Sequence, residues 1–441
     1  MKESPDHSVD HSLKNLRVTV MGLGHFGGGV GVTRWLCSNG ARVVVTDQAP
    51  AEKLQDSLEL IRNLPVELRL GGHLESDFTA CDLVVTSPAV KPDNPFLLAA
   101  RNAGVPVTTE IALFVRRCPA RVLGVTGTKG KSTTSSLLYQ ILHDQFPTTR
   151  LGGNIGGSLL DQLPDIRPED LVVLELSSFM LYWLGFDQWS PHVGVLTMLG
   201  ADHLDWHGRL ADYHAAKGNL FLHQKPDDVA VVNFADDVCV RLAELSKARR
   251  VDFAADAPDI RLQLFGDHNR ANARAAIAAA MAVGADRAKA CESIARFQGL
   301  PHRLQLVNHD NGVRWVNDSI ATNPAAVTVA LRAFAGDRLF VIVGGRTKGI
   351  DDSAVIELLA KHASRVLTIG EVGASVAQRI NAINPIAQDC QTLATAVEIA
   401  RELAQEGDVV LLSPGYTSYD QFANFEERGN TFAQLARNNS Q

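Results

Sequence analysis

Val122-Leu-Gly-Val-Thr-Gly-Thr-Lys-Gly-Lys-Ser-Thr133 decides how the rest of the chain is read. Apolar and β-branched residues lead into a glycine-spaced turn. The turn closes on Lys131-Ser132-Thr133, ahead of Leu137, Leu138, Ile141 and Leu142 at helical spacing. The pattern predicts a strand, a phosphate loop and a helix. Gly127 and Gly130 let backbone N–H groups face phosphate oxygens, Lys131 reaches the outer phosphates, and the Ser132 hydroxyl suits Mg²⁺. The expected ligand is a nucleoside triphosphate. The match to G-x-x-x-x-G-K-[ST] is imperfect, because Val125 stands where the first glycine would fall. A short glycine-lysine turn also fits an ordinary strand-to-helix connection, so the neighbouring sequence has to decide.

At 441 residues the chain is long enough for about three domains. Its 46% hydrophobic and 21% charged residues are those of a soluble globular protein. A net charge of −7 without a dense Lys/Arg block argues against nucleic acid or an anionic membrane as partner. The first sixteen residues are polar and do not resemble a signal peptide, and the apolar run 275–283 is far too short for a bilayer span. A cytoplasmic location is expected. Cys37, Cys81, Cys118, Cys239, Cys291 and Cys390 are scattered without a C-x-x-C pair, which indicates neither a zinc cluster nor a disulfide framework.

Leu16-Arg-Val-Thr-Val-Met-Gly-Leu-Gly24, a helix towards Gly40, and Ala41-Arg-Val-Val-Val-Thr-Asp47 form a nucleotide-binding βαβ pattern. Asp47 is placed to accept from a ribose or base. A glycine-rich turn in any α/β domain would look similar. Leu83-Val-Val-Thr-Ser-Pro88 is a further strand ending at Ser87, and Val107-Thr-Thr-Glu110 another; Pro119 marks the boundary of a first domain, residues 1–118.

The second domain, residues 119–299, opens with the phosphate loop. Gly152-Gly-Asn-Ile-Gly156 is a flexible loop able to bring Asn154 to a ligand. Leu171-Val-Val-Leu-Glu-Leu-Ser-Ser178 is an apolar strand ending at Glu175. A lone acid there is ordinarily a solvated residue or helix cap, but beside a phosphate loop it reads as a Mg²⁺ ligand. Gly200-Ala-Asp-His-Leu-Asp-Trp-His207 fits either a metal cluster or a polar loop; His203 is the favoured functional residue, with Asp205 and His207 open. On the following helix, residues 210–221, Lys217 reads by default as exposed. His268, Asn269 and Asn272 are assigned to the first turn of an alanine-rich helix, where an amide can cap the helix or touch a base.

The third domain, residues 300–441, alternates strands (313–317, 338–343, 365–369, 408–412) with helices and is expected to be a doubly wound sheet. Its polar loops fall at strand ends: Asn317-Asp-Ser-Ile-Ala-Thr-Asn323, Gly344-Gly-Arg-Thr-Lys348 and Ser413-Pro-Gly-Tyr-Thr-Ser418. The fold class is α/β in three domains: a Rossmann-like N-terminal domain, a central ATPase-type parallel sheet and a C-terminal Rossmann-like domain.

Taken together, these motifs resemble the Mur ligase family over nearly the whole chain. The resemblance rests on Gly127 to Thr133, Gly153-Asn-Ile-Gly156, Glu175-Leu-Ser-Ser-Phe179, Asp202-His-Leu-Asp205, Ala215-Ala-Lys217, His268-Asn269, Pro301-His-Arg303, Asn317-Asp-Ser319, Asp420-Gln-Phe422 and Phe425-Glu-Glu-Arg-Gly429. It is nearest to the branch that adds D-glutamate to UDP-N-acetylmuramoyl-L-alanine.

That resemblance implies the reaction and the roles. ATP phosphorylates the acceptor carboxylate, and the amino acid's amine attacks the acyl phosphate. Gly127, Thr128, Lys129, Gly130, Lys131, Ser132 and Thr133, with Asn269, Asn272, Arg303 and Asp318, would bind ATP. Gly24, Asp47, Ser87 and Asn154 would bind the UDP-sugar, and Thr322, Lys348, Ser418 and Phe425 the amino acid. Two Mg²⁺ ions are implied, one held by Ser132 and Glu175 and one by His203 and Lys217, the lysine matching a position the family converts to a carbamate. Lys131, Glu175, His203 and Lys217 would be the catalytic set. The implied partners are small molecules, with no nucleic acid, no membrane insertion and a monomeric chain.

Two departures concern the amino-acid site. The family often has a lysine where Ile320 stands, and Ser-Pro-Ala-x-Ala-Ser has become Ser413-Pro-Gly-Tyr-Thr-Ser418. Rival readings are another Mur-type step, a folylpolyglutamate synthase-like ligase, and a non-catalytic ATP-binding regulator. A nicotinamide dehydrogenase, suggested by Gly22-Leu-Gly24 alone, leaves the phosphate loop unexplained.

Overall fold

In the computed structural model the described residues are 13–24, 28–255, 260, 262, 267–297, 299–347 and 349–437. Lys348, Gly27, Phe265, Gly266 and Gln298 therefore lie outside them, as does the N-terminal polar segment through residue 12. The chain divides into two compact units, one of residues 1–260 and 270–294, the other of residues 261–269 and 295–441.

The first unit contains two parallel sheets. β1 (Arg17–Met21), β2 (Arg42–Asp47), β3 (Val66–Leu70), β4 (Leu83–Thr86) and β5 (Val107–Thr109) pair in the order β3-β2-β1-β4-β5. β6 (Arg121–Thr126), β7 (Arg150–Gly153), β8 (Leu171–Glu175), β9 (Val193–Leu196), β10 (Val229–Val232) and β11 (Arg249–Asp252) pair in the order β11-β10-β9-β6-β8-β7. In β6 and β8 every residue but Arg121 is buried. Apolar side chains on both faces are what a parallel strand covered by helices on each side requires. One hydrophobic cluster, including Val20, Leu36, Phe114, Leu160, Leu174 and Phe221, runs through both halves of this unit.

The register sets the site. Val125 lies opposite Glu175 and Thr126 opposite Leu196, so β6, β8 and β9 end side by side. Ligands of open α/β sheets bind at such carboxyl ends.

The second unit holds β12 (Gln305–Asp310), β13 (Val313–Asn317), β14 (Leu339–Gly344), β15 (Arg365–Ile369), β16 (Ala387–Gln391) and β17 (Val409–Gly415), ordered β12-β13-β17-β14-β15-β16. The expectation of a doubly wound sheet needs one correction, because β12 runs antiparallel to β13 and makes the sheet mixed. Gly312 at φ +75° turns the chain directly from one strand into the other, a connection too short for a parallel crossover. Helices cover both faces, burying Val327, Leu359 and Ile380 in one cluster and Leu393, Val397 and Phe432 in the other.

Candidate active site

The phosphate loop is as the sequence predicts: β6, a turn, and a helix Lys131–Gln145. Gly130 sits at the helix N-cap with φ +84° and offers no side-chain cap. The first amides are thus left for an anion, with the helix dipole behind them. A Cβ on Gly130 would lie 2.4 Å from Asn272 Oδ1, and one on Gly127 2.0 Å from Thr197 Oγ1, so both glycines are fixed by close approach.

Residues not singled out in the sequence clamp the loop from outside. Thr197 Oγ1 donates to Lys129 O at 2.6 Å, and Thr128 N donates to Met198 O at 2.8 Å. Thr128 Oγ1 accepts from Gly200 N and shares a hydrogen bond with Tyr213 OH, both at 2.9 Å. Tyr213 had a legible signal: it precedes Lys217 by four residues and shares its helix face.

Lys217, on the helix Leu210–Leu222, corrects the default reading, since it is 1% exposed. Its Nζ donates to Gly127 O at 2.8 Å and Thr126 Oγ1 at 3.1 Å and lies 5.0 Å from the centre of the Tyr213 ring. Burial, helped by the charge of Lys131 and opposed by Asp202 and Glu175, pushes its ammonium down to about 7. Near neutral pH a share of this amine is therefore unprotonated and able to act as a nucleophile. Lys131 Nζ donates to the loop's own carbonyls, Gly127 O at 2.9 Å and Thr128 O at 3.1 Å.

Glu175 is 1% exposed. Its Oε1 accepts from Asn154 Nδ2 at 2.7 Å, while Oε2 is buried with no hydrogen-bond partner. Leaving such an oxygen bare is unfavourable. A hard cation beside the phosphate loop would satisfy it. Asn154 is held by its own backbone as well, its N–H reaching Glu175 O at 2.9 Å. Ser132 and Thr133 are half-buried in the first helical turn and Lys129 is exposed.

His203 is exposed at φ +50°, a left-handed backbone that costs a non-glycine residue about 1–2 kcal/mol. Its ring packs against Phe179 with centroids 4.8 Å apart. His207 Nε2 is 3.0 Å from Ser178 Oγ. Among the described residues no group of three or more His, Cys, Asp or Glu converges as a self-sufficient metal site. The fit for Mg²⁺ therefore rests on Glu175 Oε2 and on oxygens that a bound phosphate would supply.

In the first sheet, Asp47 Oδ2 accepts from Leu23 N at 2.9 Å and Gly24 N at 3.2 Å, and Oδ1 from Ala49 N at 2.8 Å. The expected ribose or base acceptor thus also orders the glycine turn. A cleft of about 450 Å³ opens beside it, lined among others by Gly22, Asp47, His73, Val90 and Lys91. Ser87 is half-buried beside Gly22, whose added Cβ would lie 3.2 Å from the Ser87 Cβ.

The remaining candidates belong to the second unit, except Asn272. Asn269 is in the first turn of the helix Asp267–Ala282, but Asn272 is in its second turn, a correction to the expected placement. Asp318 is buried, with Oδ2 accepting from Ser413 Oγ at 2.9 Å and Oδ1 from Leu304 N at 3.2 Å. Burial outweighs these bonds and the nearby Arg303, pushing its carboxyl up to about 7. Arg303 is exposed, Thr322 half-buried and Ser418 buried, and Phe425 meets the His302 ring edge-on at 5.9 Å. Ile320 is half-buried, its N–H donating to His302 O at 3.1 Å. Arg428, 1% exposed, donates to Ser319 Oγ and to the Ser319 and Tyr416 carbonyls at 3.0–3.2 Å.

Family models match in chain order: a MurD-like N-terminal domain over residues 16–109, a Mur ligase middle domain over 125–261 and a Mur ligase glutamate ligase domain over 302–415. A UDP-N-acetylmuramoylalanine--D-glutamate ligase of Roseiflexus sp. (strain RS-1) is 38% identical across 96% of this chain and 98% of its own. One of the same name from Anaeromyxobacter dehalogenans (strain 2CP-C) has the same identity and coverage. The UDP-N-acetylmuramate-alanine ligase MurC of Thermotoga maritima shares the fold at TM-score 0.58 and 20% identity, covering 95% of this chain and 99% of its own. MurF of the same organism, solved with ADP, does so at TM-score 0.55 and 18% identity, covering 96% and 95%. With relatives matched at this identity from end to end, the chain belongs to the Mur ligase family.

Proposed function

We propose that this chain joins D-glutamate to UDP-N-acetylmuramoyl-L-alanine with hydrolysis of ATP to ADP and phosphate, a cytoplasmic step in making peptidoglycan precursors. The observation that carries the proposal is the pairing of an uncapped phosphate-loop helix with the buried, unpartnered Glu175 Oε2. The names of the relatives supply the substrates. The division of labour follows the expected domains: residues 1–118 bind the UDP-sugar, 119–299 bind ATP, and 300–441 bring the amino acid.

The acceptor carboxylate attacks the γ-phosphorus, the bond to ADP breaks, and an acyl phosphate results. The amine of D-glutamate then attacks the acyl carbon, loses a proton and expels phosphate, leaving an amide. Both substrates of the first step are anions, so positioning and charge neutralisation dominate. The amides after Gly130 cradle phosphate, Lys131 neutralises its outer oxygens, and Asn154 orients both Glu175 and the reacting end of the acceptor. Ser132 and Glu175 would hold one Mg²⁺, and His203 and Lys217 a second, which would further neutralise phosphate charge. Lys217 serves that position as a carbamate, formed when its neutral amine adds to CO₂ and releases a proton. Asn269, Asn272, Arg303 and Asp318 surround the nucleotide; Thr322, Lys348, Ser418 and Phe425 receive the amino acid. The enzyme acts as a monomer.

Ile320 supports one specific alternative, the same chemistry with a less acidic amino acid, because isoleucine cannot pair with a carboxylate. The reaction course is tested with acceptor carrying heavy oxygen in its carboxylate. One labelled oxygen is expected in the released phosphate; unlabelled phosphate accompanying amide formation would refute the acyl phosphate.

A further inference from the structure

The segment following β4 forms a lip of the cleft beside Asp47, to which Val90 and Lys91 contribute. Residues of the helix Leu204–His207 and of the helix Ser178–Phe186 grip this lip at three points. Trp183 Nε1 donates to Pro88 O at 3.3 Å, Trp206 Nε1 to Ala89 O at 2.8 Å, and Lys91 Nζ returns a bond to Asp205 O at 2.7 Å. The helix Leu204–His207 is a single turn, too short to hold itself, and the Asp205 carbonyl lies among its unsatisfied C-terminal acceptors. His203 caps it in a left-handed conformation, its carbonyl accepting from Trp206 N at 3.1 Å and His207 N at 3.0 Å.

The same indole joins a chain of rings. Trp206 packs on Phe179 at 5.0 Å, His207 at 4.5 Å and Tyr182 at 5.2 Å, and Phe179 in turn packs on His203 at 4.8 Å. A displacement of the lip therefore meets the imidazole of His203 through two ring contacts and one helical turn. Packed rings transmit such shifts because they are not freely compressible.

We propose that Trp206 and Lys91 are positioning residues that latch the His203 turn to the lip of the nucleotide cleft, so that filling the cleft sets the imidazole. Lys91 makes the latch responsive: its ammonium is exposed at the cleft and is held by one backbone carbonyl, which a diphosphate entering the cleft competes for. The proposal rests on the reading of His203 as a Mg²⁺ ligand and of the cleft as a nucleotide site.

The variants are W206F, which keeps a ring and removes the N–H, and K91M, whose exposed side chain is not needed for folding. Purified full-length protein is titrated with UDP alone while tryptophan fluorescence is followed, without ATP or metal. The wild type is expected to show a saturable change that K91M, which keeps every tryptophan, loses, with UDP still binding by calorimetry; an equal change in K91M would overturn the coupling. In turnover, W206F and K91M should each raise the Mg²⁺ concentration for half-maximal rate about tenfold, with KM for ATP within twofold when Mg²⁺ is saturating. The W206F/H203A double variant should be no slower than H203A. Unchanged Mg²⁺ dependence in both single variants, or multiplying defects in the double, would overturn the proposal. If H203A itself leaves Mg²⁺ dependence unaltered, the ligand reading fails, and the metal-free fluorescence result stands apart from it.

Discussion

Two buried acids, Glu175 in the central sheet and Asp318 in the C-terminal one, stand at strand ends and are satisfied in opposite ways. Asp318 has a partner for each oxygen from its own unit. Glu175 has one oxygen tied to Asn154 and the other left bare. The basic groups repeat the contrast. Arg428 spends its donors on the Ser319 and Tyr416 carbonyls and the Ser319 hydroxyl, whereas Lys217 is pressed against the phosphate loop with its charge weakened by burial and by Lys131. Closed polar networks hold a fold in place; open ones are kept for something that binds. In the central sheet the open oxygen of Glu175 is available to something that binds, whereas the bonds around Asp318 and Arg428 are closed within the C-terminal unit.

Glu175→Gln should show the largest effect on rate. Steady-state ATP turnover is expected to fall by at least about 10²-fold, in the range lost when one preorganised electrostatic group is removed, while thermal stability holds. A large drop in Tm with activity retained would reverse the roles assigned to the two acids. Lys217→Ala should be similarly inactive and partly rescued by added short carboxylates; a fully active variant would refute the carbamate.

Arg428→Met should do the converse. Stranding the carbonyls of Ser319 and Tyr416 is expected to cost about 3 kcal/mol. The C-terminal unit's Tm should then fall by roughly 6–12 °C by calorimetry, at about 2–4 °C per kcal/mol.

The remaining effects are in pH dependence, and their signs are opposed. Asp318 has a folded pKa of about 7 against an ordinary 3.8. The folded chain binds the extra proton, so its contribution is present below the ordinary value and is lost as pH rises through 7. Lys217 has a folded pKa of about 7 against 10.5. There the unfolded chain binds the extra proton, so stability rises with pH between those values and is lost as pH falls through 7. Urea titrations across pH should find the lower slope flattened in Asp318→Asn and the upper one in Lys217→Met. Slopes unchanged in both would mean that neither group is desolvated as its burial indicates.

Much of the fold was legible because the central strands are apolar on both faces. β6, β8, β9, β14 and β17 declare themselves through mainly apolar runs, and β1 through Val-Thr-Val-Met ahead of a glycine. The strands that escaped are mostly sheet edges: β3 is Val-Glu-Leu-Arg-Leu, β11 is Arg-Arg-Val-Asp and β16 is Ala-Gln-Asp-Cys-Gln. An edge faces solvent and carries polar residues, so its pattern fades into loop. β10 is different, an apolar run of four residues, too short to distinguish from a turn of buried helix. In the site, the phosphate loop and Glu175 were legible from local spacing. The burial of Lys217 was not, since its partners Thr126 and Gly127 lie about ninety residues earlier. Nor did the sequence reading foresee the internal bonds of Asp318, which depend on Ser413 from a distant strand.

The most direct test of the central claim is phosphate release by the purified protein with Mg²⁺, ATP and UDP-N-acetylmuramoyl-L-alanine, run across a panel of D- and L-amino acids with mass detection of the product. Release and amide formation with D-glutamate alone are the predicted result, with neighbours making good the charge absent at Ile320. Amide formation with a different amino acid, and none with D-glutamate, would contradict it.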